Sequence, residues 1–203
     1  MEGTNPVNKK LAAALSGGAA LVVALSGCGG KDDGPDPKLQ AWAKSVCDAV
    51  PAQDAKIKAA NAVIDKTAAD TTGTPDELQK AYAQAFQDMS DGYKAIAAAI
   101  GDAGAPPGVD GGAKRQQDAV KNIDGLSASY ADLEKKVDAL DTKDQGKFAT
   151  GLHDVATEMK DLEKQSRNGT EALKNLEQGD VKEAIAEQAS CKKISASPSA
   201  TVG

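Results

Sequence analysis

The chain reads as an all-α protein, an up-and-down bundle of four long helices plus a short C-terminal helix, stapled by one disulfide. Three observations predict this. Alanine, glutamate, lysine, glutamine and leucine, all good helix formers, dominate residues 36–194. No stretch alternates apolar and polar residues at the period of a strand. Apolar residues instead recur at helical spacing between recognisable caps and stops, and long amphipathic segments with short connections pack as antiparallel neighbours.

The first helix opens at Asp36-Pro37, an N-cap followed by proline at the first helical position. Leu39, Trp42, Val46 and Val50 form its inner stripe. Pro51 is expected to kink or break it, with a continuation carrying Ile57, Ala60 and Ile64. The second helix starts at the capping box Thr74-Pro75-Asp76-Glu77, and its stripe is Leu78, Tyr82, Ala85, Met89, Tyr93, Ile96 and Ile100. The run Gly101 to Gly112, with Pro106-Pro107 inside, ends that helix and makes the longest loop. A connector of this length is either functional or merely loose.

A third helix is predicted from about Ala113 to Leu140, with Val120, Ile123, Ser127, Tyr130, Leu133, Val137 and Leu140 facing inward. Thr142-Lys143-Asp144-Gln145 is a second capping box and opens the fourth helix. There Phe148, Leu152, Val155, Met159, Leu162, Ser166, Gly169, Leu173 and Leu176 step by four and three, the heptad rhythm of helices packed at shallow angles. Asn168-Gly169 is a helix-stop pair that would end the helix there, whereas the unbroken step favours continuity. Gly179-Asp180 caps a short last helix containing Val181, Ile185 and Cys191, and the tail 195–203 reads as disordered.

The part before the bundle has its own pattern. Lys9 and Lys10 precede an apolar, alanine-rich run whose greasiest part is Ala19 to Leu25, and small residues then lead into Cys28. The run is shorter than the roughly 20 apolar residues a transmembrane helix needs. Leu25-Ser26-Gly27-Cys28 resembles a lipobox, so residues 1–27 resemble a bacterial lipoprotein signal peptide. The resemblance implies cleavage before Cys28 and a diacylglyceryl group on its thiol, a palmitate-type anchor whose two chains hold a membrane stably. Residues 28–35, rich in glycine and charge, read as the tether. An ordinary leader cut near Gly27, with Cys28 a free thiol, is the rival reading.

The chain carries a formal charge of −6; residues 1–27 contribute +1, which leaves −7 for the rest. This acidity argues against nucleic acid as a partner and against a polybasic grip on anionic lipid. Aromatic residues are 3%, which leaves few stacking platforms for sugars or bases. With Cys28 lipidated, Cys47 and Cys191 remain, and two thiols outside the membrane allow one intramolecular pairing. On the chain-entropy model, a loop this long contributes about 5 kcal/mol. Two buried free thiols, or a metal-bound pair, are the alternatives; the latter lacks histidine or cysteine partners nearby in sequence.

Catalytic constellations are not recognisable. His153 is the only histidine, and Gly151-Leu152-His153 resembles the start of the Gly-x-His-x-x-Glu motif of imelysin-like bundles, but Ala156 stands where the carboxylate belongs. No serine sits in a Gly-x-Ser-x-Gly elbow. The many carboxylates interleave with lysines at helical spacing, as on a salt-laced surface, and none has calcium-loop spacing. Asn168-Gly169-Thr170 matches the glycosylation pattern by chance. The sequence therefore predicts no catalytic, cofactor-binding or metal-binding residues. Trp42, the lone tryptophan, is the candidate binding residue, set against the role of a core anchor beside the disulfide.

The lipobox, the stretch Trp42 to Asp48, the alanine-rich helical body and the single late cysteine resemble small secreted lipoproteins of actinomycetes such as streptomycetes. That resemblance implies a Gram-positive envelope location and carries over no activity or catalytic residue. The expected function is a non-enzymatic, lipid-anchored protein on the extracytoplasmic face of the cell membrane, presenting its bundle to a protein or cell-wall partner. The alternative is a ligand-binding or sensory bundle holding a small apolar molecule near Ala85, Gly92, Ser127 and Gly169. A poorly filled core would favour the alternative; a close-packed one favours presentation.

Overall fold

The computed structural model describes residues 36–70 and 72–195. The expected leader, Cys28 and the expected tether, together with residues 196–203 of the tail, lie outside the described residues. Those that are described form an up-and-down bundle of four long helices followed by two short ones: α1 (Pro37–Ala69), α2 (Pro75–Ala103), α3 (Gly112–Asp138), α4 (Gln145–Leu176), α5 (Asp180–Glu187) and α6 (Ala189–Ser195). Each long helix packs against the one before it in sequence, and α5 and α6 turn back onto α1.

Local chemistry sets the starts. Asp36 accepts from the Lys38 amide at 2.7 Å ahead of Pro37. Thr74 and Glu77 make the reciprocal capping box, with Glu77 accepting from the Thr74 amide at 2.9 Å and Thr74 Oγ1 accepting from the Glu77 amide at 3.4 Å. The fourth helix is capped by Asp144, which accepts from the Lys147 amide at 3.1 Å, and not by Thr142. Asp141 accepts from the Lys143 amide at 3.1 Å, so 141–144 is spent on a turn and the next acidic side chain takes the positive end of the helix.

The ends are closed from neighbouring helices. The Gln79 amide of α2 donates to the carbonyls of Val137, Asp138 and Leu140 at 2.9, 3.1 and 3.1 Å, where α3 stops. Gln116 of α3 donates to Ile100 O at 3.2 Å in the last turns of α2. Arg115 of α3 donates to Asn175 O at 3.3 Å near the end of α4 and to Asp110 O of the preceding loop. Carbonyls that a helix leaves without intrahelical partners are thereby satisfied across the bundle, and antiparallel order is fixed with them.

Three further expectations need correcting. Pro51 neither ends nor divides α1, which runs unbroken from Pro37 to Ala69. A proline inside a helix costs about 3 kcal/mol, and here the turns on both sides are held by tertiary contacts, at Trp42 and Cys47 before it and at Ile57 after it. The single C-terminal helix is two, because Gln188 adopts an extended backbone (ψ 123°) and places Cys191 in α6. The loop after α2 is shorter than Gly101–Gly112, since α2 continues to Ala103 and α3 begins at Gly112.

Continuity of α4 through Asn168-Gly169 is observed. Its heptad stripe splits by burial: Phe148, Val155, Leu162, Gly169 and Leu176 are buried, while Leu152, Met159, Ser166 and Leu173 are half-buried. The reason is that α4 packs chiefly on α3, so only one edge of the stripe is covered. By contrast α2 lies between α1 and α3 and buries two faces, adding Ala83, Phe86, Ser90, Gly92 and Ala97 to the expected stripe.

Candidate functional site

Cys47 and Cys191 form a disulfide, with Cα atoms 5.2 Å apart and a sequence separation of 144. Cys47 is wholly inaccessible and Cys191 half-buried. Polar contacts ring the bond. Gln188 Nε2 donates to Gln40 Oε1 at 2.6 Å, Gln40 donates to Glu187, and Ser190 Oγ donates to Asp48 at 2.8 Å. Hydrogen bonds from Lys44, then Ser190, hold the Asp48 carboxyl below the usual aspartate value.

Trp42, the candidate binding residue, is 5% exposed, and its indole Nε1 donates to Gly104 O at 2.9 Å. It fastens the start of α1 to the end of α2, five residues before the disulfide-bonded Cys47. The loop it holds is compact. Gly104, Gly108 and Gly111 take left-handed backbone angles, Pro106 is buried, and a Cβ on Gly112 would lie 2.9 Å from the Pro106 ring. The loop is therefore ordered by packing and turn geometry.

The small residues considered for an interior ligand are occupied by the protein itself. A Cβ on Gly92 would lie 2.7 Å from Cγ1 of Ile57, and one on Gly169 would lie 3.0 Å from Cδ1 of Leu126. Ser127 Oγ is 3.3 Å from Ser90 Oγ in a buried pair, and Ala85 is buried. Around Phe86, which is fully buried, Tyr82, Tyr93 and Tyr130 stack with ring centroids 5.6–6.3 Å apart. Burial raises the phenol pKa of all three tyrosines, most of all at Tyr130; at Tyr93 the Asp54 carboxylate adds to it.

Two open grooves, of about 440 and 270 Å³, follow the α3–α4 seam. Most polar side chains in their walls are already paired, Asn168, Glu171 and Asp161 excepted. Lys114 bridges Asp118, Arg115 is held by two backbone carbonyls, and Gln178 donates to Asn175 at 2.9 Å. In the second groove Lys136 bridges Glu158, and Ser129 donates to Gln165 at 2.8 Å. A ligand contacting Arg115, Lys136 or Ser129 would have to displace bonds that cross the seam.

His153 is exposed on α4. Among the described residues, no group of three or more His, Cys, Asp or Glu is arranged to hold a metal ion, and no helix is long and apolar enough to cross a membrane. Lys56 pairs with Asp88 at 3.3 Å and Asp91 at 3.5 Å, and Lys58 with Asp54 at 2.7 Å, as expected of carboxylates interleaved with lysines on a salt-laced surface. The cross-helix caps Gln79, Gln116 and Arg115 escape sequence reasoning, because each looks like an ordinary polar surface position on its own helix. The chain matches no protein-family model, no curated protein and no solved structure.

Proposed function

We propose that this chain is a non-enzymatic, lipid-anchored extracytoplasmic protein of the cell envelope, whose helical bundle is presented to a protein or cell-wall partner. The anchor reading rests on Leu25-Ser26-Gly27-Cys28 at its distance behind Lys9-Lys10. The observation that carries presentation over ligand storage is the filled interior. Ile57 occupies the space beside Gly92, Leu126 the space beside Gly169, and Ser90 the partner position of Ser127. A bundle that stores an apolar molecule needs a cavity at such positions.

Native mass spectrometry of the protein released from its own host's envelope tests this reading. The expected species is the chain alone or with a protein companion. A bound small molecule would overturn presentation in favour of the ligand-carrying alternative. In the same host, Cys28→Ser is expected to shift the protein from the membrane fraction to the soluble one; an unchanged distribution would discard the anchor.

A further inference from the structure

The two C-terminal helices are built differently from the rest of the bundle. At eight and seven residues, α5 and α6 are below the length at which a helix holds by itself in water. They pack on α1 and on each other, and join α4 through Gly179, whose φ of 64° gives a left-handed pivot.

Their seat is a second stripe on α1. Between residues 39 and 47, Leu39, Trp42, Ala43, Val46 and Cys47 are all buried, whereas beyond Pro51 burial narrows to Ile57, Ala60, Ile64 and Thr67. Ala43 and Cys47 are one turn apart on the added side. Gln40 and Asp48, at the margins of that stripe, are the residues that bond Glu187, Gln188 and Ser190. Val181 and Ala184 supply fully buried apolar contact, with Ile185 packed beside them. These contacts are few, and the covalent bond lies at their far end.

We propose that α5 and α6 form a strap latched onto α1 by the Cys47–Cys191 bond, and that two-electron reduction by a protein dithiol releases the strap while the four long helices stay folded. Cys47 is inaccessible and Cys191 partly exposed, so the incoming thiolate attacks the Cys191 sulfur. The sulfur–sulfur bond breaks, and Cys47 leaves as a thiolate and takes up a proton. The second thiol of the reductant then displaces Cys191, which takes up the other proton. The reductant ends as a disulfide and the protein as two thiols; oxidation reverses the sequence.

With the long helices folded, the open strap is a short tether from Gly179 to Cys191. The bond then closes a small local loop, not the 144-residue loop of the unfolded chain. Release uncovers the Ala43–Cys47 side of α1 and places a thiol there.

Hydrogen exchange on the full chain separates a latch from a general staple. It is compared in the oxidised protein, after treatment with a small dithiol under native conditions, and in Cys191→Ser. Amides of residues 181–192 are expected to exchange at least about tenfold faster in both altered states, with residues 83–137 changed by less than about twofold. Joint loss of protection in both segments, or a Cys191→Ser chain that does not fold, would mean the bond staples the whole fold, and the proposal falls. No acceleration at 181–192 would mean that packing alone holds the strap, which also overturns it. A bond that resists the dithiol while Cys191→Ser opens selectively would show a permanent clamp and rule out switching.

Discussion

Gly92 and Gly125 both sit inside helices, yet only the first is required by packing. A Cβ at 92 would press on Cγ1 of Ile57 at 2.7 Å, while one at 125 meets nothing within 4 Å. Replacing glycine by alanine recovers about 1 kcal/mol of helix propensity. Forcing a methyl into a close-packed contact costs about 1–3 kcal/mol, and Cγ1 of a β-branched side chain has little room to yield. Gly125→Ala is therefore expected to stabilise by about 0.5–1 kcal/mol, and Gly92→Ala to destabilise by up to about 2 kcal/mol, in urea unfolding. A stabilising Gly92→Ala would show that α1 and α2 do not approach as closely as described. Neither outcome is legible in the sequence, where the two glycines look alike.

At the scale of the element, the fourth helix shows how much a heptad pattern says and where it stops. The step of four and three from Phe148 to Leu176 is continuous through Asn168-Gly169, and so is the helix. The same pattern marks nine positions as equivalent, and the structure divides them, because α4 has one principal neighbour and not two. Leu162→Ala is expected to cost about 3 kcal/mol and the half-buried Leu152→Ala about 1 kcal/mol, measured by chemical denaturation. Equal losses would indicate that a further partner covers α4. The first helix teaches the converse. Pro51 is a strong local stop signal, but the interactions of Trp42, Cys47 and Ile57 on either side override it.

For the whole molecule, charge and burial set the pH range of stability. Glu77 is held below its ordinary pKa of 4.5, chiefly by the Thr74 amide. Asp70 and Asp144 are held below 3.8, chiefly by the amides of Thr72 and Lys147. The unfolded chain takes up protons on these groups more readily than the folded one. Their contribution is therefore complete above those ordinary values and fades as the pH falls through the lowered folded values. Tyr82, Tyr93 and Tyr130 are raised above the ordinary phenol value of 10.0 by burial. Folding keeps their protons on, so that contribution is present below pH 10.0 and is lost as the pH rises from there through the raised folded values. Thermal stability is expected to be flat between about pH 5 and 9.5 and to fall on both sides. On the alkaline side, tyrosinate absorbance should rise together with loss of the helical circular dichroism signal. Phenols that ionise near pH 10 with the helices intact would show that water reaches the Phe86 cluster.

The sequence by itself determined the class of fold, the four long helices, the capping box at Thr74 and the pairing of Cys47 with Cys191. These follow from signals that are local or simply countable: periodicity, a cap three residues from its partner, and two thiols with one way to pair. It also carries Leu25-Ser26-Gly27-Cys28, the resemblance to a lipobox on which the proposed location rests. Only the tertiary structure decided that α1 passes through Pro51, that α5 and α6 cover α1, and that Trp42 spends its indole N–H on Gly104. It likewise decided that Gln79, Gln116 and Arg115 close the ends of other helices. Each of these depends on which surfaces meet. A contact between residues 62, 58 or 60 positions apart leaves no periodic trace in the chain, and its free energy appears only once the helices are side by side.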